Sequence, residues 1–335
     1  SSMIQGDVIT MSIAPTSEGV VIYHASSNKV PLHFSKTGKF IAQIGKSGRS
    51  KEEYIYIEEV YAHNNFIDVV CYDKINTYNL NDGSFAKNIP TGIPEHELYR
   101  YPDGTYTYLS TDFKTKEDKI IILDSKGDTI TTRLIKKFEI DKPSAKNLER
   151  AEKAEKEGTV GLFLVRTNSP NLHTGMNSPF LLVNEKDTLY TLDKAAQMHP
   201  KYLVNYGEFK PGFYWNSFLF ESDKFITGRA LFNFRQYPNI DKKYRFIYFV
   251  YDKQSGTTRG MKYDEDLKSA GFVNDLDANA IAFYPKALAN GKMYQLVDAI
   301  QFLDIAEKSS SQKMKEVAAT LTEESNPVLV VVTLK

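Results

Sequence analysis

The chain has 335 residues, 41% of them hydrophobic, enough to bury a substantial core. Lysine plus arginine equals aspartate plus glutamate at 42 each, which argues against a general nucleic-acid binder, since that function needs a basic stripe. No apolar run reaches the roughly 18 residues of a membrane-spanning helix, and the single cysteine, Cys71, excludes an intrachain disulfide. In chain order, residues 3–13, 19–23, 30–34 and 39–44 read as short strands without helical period. Residues 54–61, 66–72, 75–80 and 85–89 repeat that pattern, and residues 98–101, 106–109, 120–123 and 129–135 repeat it again.

One turn recurs between these runs: Ser35-Lys-Thr-Gly38, Asn81-Asp-Gly83 and Asp124-Ser-Lys-Gly127. Gly38 and Gly83 are 45 residues apart, and Gly83 and Gly127 are 44 apart. A hairpin recurring at about 40–50 residues is the signature of a β-propeller, with about four strands per blade. Asp187 and Gly256 are read as the corresponding marks of the next two blades, and Asn290-Gly291 as a hairpin of the sixth.

Residues 142–158 break the pattern. Pro143 suits a first helical turn, Gly158 a stop, and Glu149/Lys153 and Glu152/Lys156 are i,i+4 pairs, so a surface helix is expected there. Strands resume at 160–166, 180–190, 218–225, 230–234, 244–251, 280–284 and 293–297. Met314, Val317, Ala318 and Leu321 follow helical spacing within a second expected helix, 309–323, and residues 327–334 form a final strand. The first and last strands are expected to share one blade and close the ring.

The segment from His33 to Gly45, with Gly48 and Glu53-Tyr54, resembles a conserved stretch of the six-bladed β-propellers of Bacteroides-type bacteria. Gly271-Phe-Val-Asn-Asp-Leu-Asp277 with Phe283-Tyr-Pro285, and the ending Asn326 to Lys335, resemble two further segments of that family. The resemblance implies an NHL-like, all-β fold in a single domain over residues 1–335. It also implies export to the periplasm or cell surface, with a lipid anchor carried by a removed leader, and no assigned activity. Two departures stand out: the family's Gly-Pro-Gly-Glu-Tyr is Arg49-Ser-Lys-Glu-Glu-Tyr54 here, and its Gly-Gly after the Asn-Asp motif is Asn279-Ala280.

No G-x-S-x-G occurs, and His96-Glu97 lacks a second histidine, so no catalytic residue is assigned. Asn274, Asp275 and Asp277 offer alternating oxygens that suit calcium; the plainer reading is an Asx turn. Arg166 and Arg229 follow apolar strand ends, where they suit an anionic ligand such as a carboxylate, or a strand-end ion pair. His24 is placed similarly and reads first as a structural histidine. Tyr214 and Trp215, in the loop 209–216, suit stacking on a sugar or gripping a protein, or else plug the space between blades. The 21 tyrosines and 20 phenylalanines read chiefly as sheet packing.

The expected function is therefore a non-catalytic exported module holding a small molecule, glycan or protein at the channel mouth and interblade loops, with no cofactor beyond calcium. The alternative is a hydrolase or lyase at the same mouth, with perturbed acids or a metal among Asp275, Asp277, Arg229 and His24. Fold alone does not separate the two.

Overall fold

The computed structural model describes residues 3–4, 6–71, 73–91, 96–112, 114–139, 170–173, 178–183, 188–205, 213–232, 246–261, 263–264, 269–272 and 282–334. Successive antiparallel sheets follow one another along it. The first contains β1–β4 (Met11–Pro15, Gly19–His24, Leu32–Ser35, Phe40–Gln43), and the second β5–β8 (Glu59–His63, Phe66–Val70, Lys74–Asn79, Phe85–Pro90). The third contains β9–β12 (His96–Arg100, Tyr106–Asp112, Glu117–Leu123, Thr129–Lys137), and the fourth β13–β16 (Asn171–His173, Phe180–Leu182, Thr188–Leu192, Met198–Leu203). The fifth holds β17–β20 (Phe213–Glu221, Phe225–Phe232, Phe246–Asp252, Thr257–Gly260). A small hairpin, β21 (Tyr263–Asp264) with β22 (Ser269–Ala270), precedes the sixth sheet, which pairs β23 (Ala287–Ala289), β24 (Lys292–Val297) and β25 (Val328–Thr333). The fold is a six-bladed β-propeller.

The recurring glycines do what the spacing predicts. Gly38, Gly83, Gly127 and Gly256 have φ of 80°, 70°, 96° and 68°, and each joins the third strand of its blade to the fourth. The side chain that opens the turn fixes it. Asp124 Oδ1 accepts from the amides of Lys126 and Asp128, and Asp252 Oδ1 from those of Gln254 and Ser255. The fourth blade uses the same device without glycine: Asp193 Oδ1 accepts from Ala195 and Gln197 amides, and Ala196 takes φ 58°. Asp187, expected as that mark, lies outside the described residues. In the sixth blade two helices replace the turn.

Those helices are α1 (Ala299–Lys308) and α2 (Gln312–Ala318). The predicted stretch 309–323 contains α2, whereas α1 was not foreseen. Asp298 caps α1 by accepting from Ile300 N at 2.9 Å. Ala299, Phe302 and Ala306 are buried; Phe302 and Ala306 join Val297 in a core that receives Met314, Val317, Ala318 and Leu321. The helix expected at 142–158 lies outside the described residues.

Two compact units divide the chain. One comprises Ser1–Pro94 and Gly212–Lys335, with blades one, two, five and six; the other is Glu95–Pro211, with blades three and four. In the first unit, Val21, Tyr23, Ile44, Tyr54, Ile57 and Ile67 pack blade one on blade two. Tyrosine does much of this work: Tyr54 and Tyr78 are fully buried, meet edge to face at 6.0 Å, and Tyr54 Oη donates to Ile44 O. In the second unit, Tyr99, Tyr101, Ile120, Leu172 and Leu181 form the corresponding core. At the Arg49–Tyr54 departure, Glu53 folds back to accept from Ser50 N at 3.0 Å.

The terminal strands do not share a blade, contrary to expectation. β1 pairs with β2, and β25 pairs with β24. Blade one already has four strands of its own, so the chain ends meet through side chains instead. Met11, Ile13, Ile22 and Phe34 of blade one pack against Ala287, Tyr294 and Leu296 of blade six.

Candidate functional site

Within the first unit, one candidate group of polar residues lies on and beside β18. Arg229 lies in the middle of that strand, opposite Asn216 of β17 and Tyr248 of β19, and not at a strand end as predicted. Tyr248 stacks edge to face on Tyr284, centroids 4.7 Å apart. Tyr284 is held from its backbone, where its amide donates to Gln295 Oε1 at 3.1 Å. Its hydroxyl oxygen is buried and has no hydrogen-bond partner among the described residues. Burial and the neighbouring Tyr248 push the phenol's pKa up, while Arg229 pulls it down.

Lys286 follows two residues later. Its ammonium donates to the carbonyls of Val8, Ile9 and Met11 at 2.6, 2.8 and 3.0 Å. Burial lowers its pKa to about 8, with Arg229 acting in the same direction and Asp7 opposing. Asp7 in turn caps the short 3-10 turn Val8–Thr10, accepting from Ile9 N. Arg229 thus lies within electrostatic reach of both Lys286 and the Tyr284 hydroxyl, and a cation near a buried hydroxyl without a partner among the described residues suits an anion.

His24 closes β2 and is 7% exposed. Its Nδ1 lies 3.3 Å from Thr10 Oγ1, and a Cβ at Gly6 would stand 3.1 Å from its ring, so the imidazole is packed under the N-terminal turn. Tyr214 and Trp215 belong to β17, paired with Leu231 and Ala230, so the expected aromatic loop is strand there. Arg166 and the Asn274, Asp275 and Asp277 turn, on which the calcium expectation rests, lie outside the described residues. Among the described residues no three His, Cys, Asp or Glu side chains gather as a metal site.

Perturbed acids occur at positions the sequence did not single out. Glu59 of β5 accepts a short hydrogen bond from Tyr23 Oη and another from Val60 N; burial raises its pKa. In the second unit, Glu97 of β9 accepts a short bond from Leu172 N. The residue as a whole reaches solvent, yet burial around its carboxyl raises the pKa to about 7. Cys71 is inert by comparison: burial pushes its thiol up to about 12. Tyr284 lies within the family-like Phe283-Tyr-Pro285 segment, the one sequence signal pointing to it. Lys286, Glu59 and Glu97 carry no mark in one dimension.

A family model described as a domain of unknown function, DUF4934, matches residues 12–333. The chain belongs to the DUF4934 family. Among curated proteins none matches. Among solved structures, a Bacteroides fragilis protein named as a candidate exported protein is similar at TM-score 0.65 and 16% identity, over 99% of this chain and 94% of that one. A Bacteroides caccae protein of unknown function follows at TM-score 0.38 and 10% identity, over 85% and 81%. The Pan2 WD40 domain of Neurospora crassa gives TM-score 0.43 and 10% identity, over 75% and 64%. The first likeness supports the propeller fold of this DUF4934 member; it transfers no activity.

Proposed function

We propose that this DUF4934 chain is an exported, non-catalytic binding module that holds an anionic small molecule against Arg229 and Tyr284. The observation that carries this reading is the buried Tyr284 hydroxyl, which has no acceptor among the described residues and lies within electrostatic reach of Arg229. A buried donor left unsatisfied costs about 1–3 kcal/mol, and an anion's oxygen would recover that cost. Export is supported by the naming of the Bacteroides fragilis neighbour; recovery of the native protein from the cytoplasmic fraction alone would refute it. Titration calorimetry with acetate and inorganic phosphate tests the ligand class. Tyr284→Phe is expected to weaken the anion that binds by about ten-fold or more, the value of one hydrogen bond to a charged group. Equal binding by wild type and Tyr284→Phe would sink the reading.

A second reading, a hydrolase or lyase, draws on Glu97, whose carboxyl at about 7 suits proton transfer near neutral pH. It requires turnover of some substrate that Glu97→Gln abolishes without changing that substrate's binding.

A further inference from the structure

We propose that β25 is an interface for a second copy of this chain, which adds its own β25 antiparallel across a two-fold axis at Val331. β23 lies beside β1 and β17, the first strands of blades one and five, so β25 forms the outer edge of blade six. The first five blades have four strands each, and the sixth stops at its third. Leu334 N donates to Gly291 O at 2.8 Å, and the β24–β25 register runs without a bulge. By alternation Val328, Val330 and Val332 bond to β24, while the peptide groups of Leu329, Val331 and Thr333 point outward. Among the described residues those outward groups have no hydrogen-bond partner. Val328 and Val330 pack with α1 and α2, and Leu329 joins the contact with blade one, which leaves Val331 and Val332 exposed at 44% and 36%.

The other outer strands are protected against such pairing. Lys87 lies on β8, Arg133, Lys136 and Lys137 on β12, Lys201 on β16 and Arg259 on β20, and β4 has only four residues. Edge cations and short edge strands both discourage edge-to-edge association. β25, Val-Leu-Val-Val-Val-Thr, carries no charge and no proline. Its outward set is also symmetric about Val331. A two-fold there pairs Val331 with Val331 of the partner subunit and Leu329 with Thr333 of the partner subunit, each pair exchanging both N–H···O bonds. Val332 then stands beside Val330 of the partner subunit, so valine meets valine. An edge that is uncharged, β-branched and self-matching in register suits its own copy.

Sedimentation equilibrium on the full chain tests this. One strand edge is a small interface, so the wild type is expected to dimerise with a dissociation constant of about 100 μM. Val331→Lys places two ammonium groups opposite each other and should weaken the dimer at least about ten-fold, with the urea midpoint unchanged. Mixing Val331→Lys with Val331→Glu should restore association, because position 331 faces its own copy. Val331→Cys should give a disulfide-linked dimer on oxidation, since directly opposed residues lie about 5.5 Å apart, whereas Val332→Cys should not. Cys71, the only native thiol, is buried and does not compete. A wild type that stays monomeric at about ten times the expected constant overturns the proposal; if it then binds an alternating-valine peptide, the edge belongs to a foreign strand. A dimer that Val331→Lys leaves intact overturns it as well.

Discussion

Lys286 Nζ donates to the carbonyl of Val8 at 2.6 Å although the two residues are 278 positions apart. With the bonds to Ile9 and Met11, this contact joins the beginning of blade one to the beginning of β23 without a shared strand. Hydrogen bonds to a charged group contribute more than neutral ones. Lys286→Met keeps the aliphatic stem and removes all three donors. It is expected to lower stability by about 2 kcal/mol, read as a lower urea midpoint with unchanged slope. An unchanged midpoint would mean that water replaces the ammonium at no cost.

Glu97 makes stability depend on pH. Its carboxyl pKa is raised from 4.5 to about 7 in the fold, so the folded state binds more protons between those values. Stability from this group is full below the unfolded value and is lost as pH rises through about 7. Glu97→Gln keeps an acceptor for Leu172 N and cannot ionise. The variant is expected to lack the wild type's fall in urea midpoint between pH 4.5 and 7, and to be the more stable protein at pH 8. A variant whose pH profile parallels the wild type would show that this carboxyl titrates normally.

Gly38 and Gly83 occupy equivalent turns at φ 80° and 70°, but their surroundings differ. A Cβ on Gly38 meets nothing within 4 Å, whereas one on Gly83 would lie 1.8 Å from Gln43 O. Gly38→Ala should cost about 1 kcal/mol from the left-handed backbone alone. Gly83→Ala should cost clearly more, because backbone of the neighbouring blade must move. Equal losses in thermal melts of the two variants would contradict this geometry.

Much of the scaffold was legible because strands and turns are local. Alternation located most of β2–β12, whereas the run 3–13, which reads as one strand, holds the 3-10 turn Val8–Thr10 before β1 starts at Met11; four glycines marked the outer hairpins. Where the fourth blade uses Ala196, the turn disappeared from the pattern: Asp193 supplies the hydrogen bonds, and an alanine accepts the positive φ that glycine takes elsewhere. Pro211-Gly212 suggests a turn and a loop over 209–216, yet β17 pairs Phe213–Asn216 with β18. α1 was missed because its three buried residues, Ala299, Phe302 and Ala306, make too thin a stripe to announce a helix before its core is assembled. The site was less legible still. Arg229 was singled out, but Tyr248, Tyr284 and Lys286 join it only through pairing and packing.

The sequence by itself determined the repeat and the blade hairpins, because strand alternation and turn chemistry are written in neighbouring residues; the family was legible through the resemblance of the segments His33–Gly45, Gly271–Pro285 and Asn326–Lys335. Tertiary structure alone decided how the chain ends meet and which charges feel one another. Those depend on contacts between residues nearly 300 positions apart, such as Lys286 with Val8 and Ile4 with Asn326. Desolvation decided the rest: Glu97, Glu59 and Lys286 are ordinary ionisable residues in the chain, and burial is the largest cause of the shift at each.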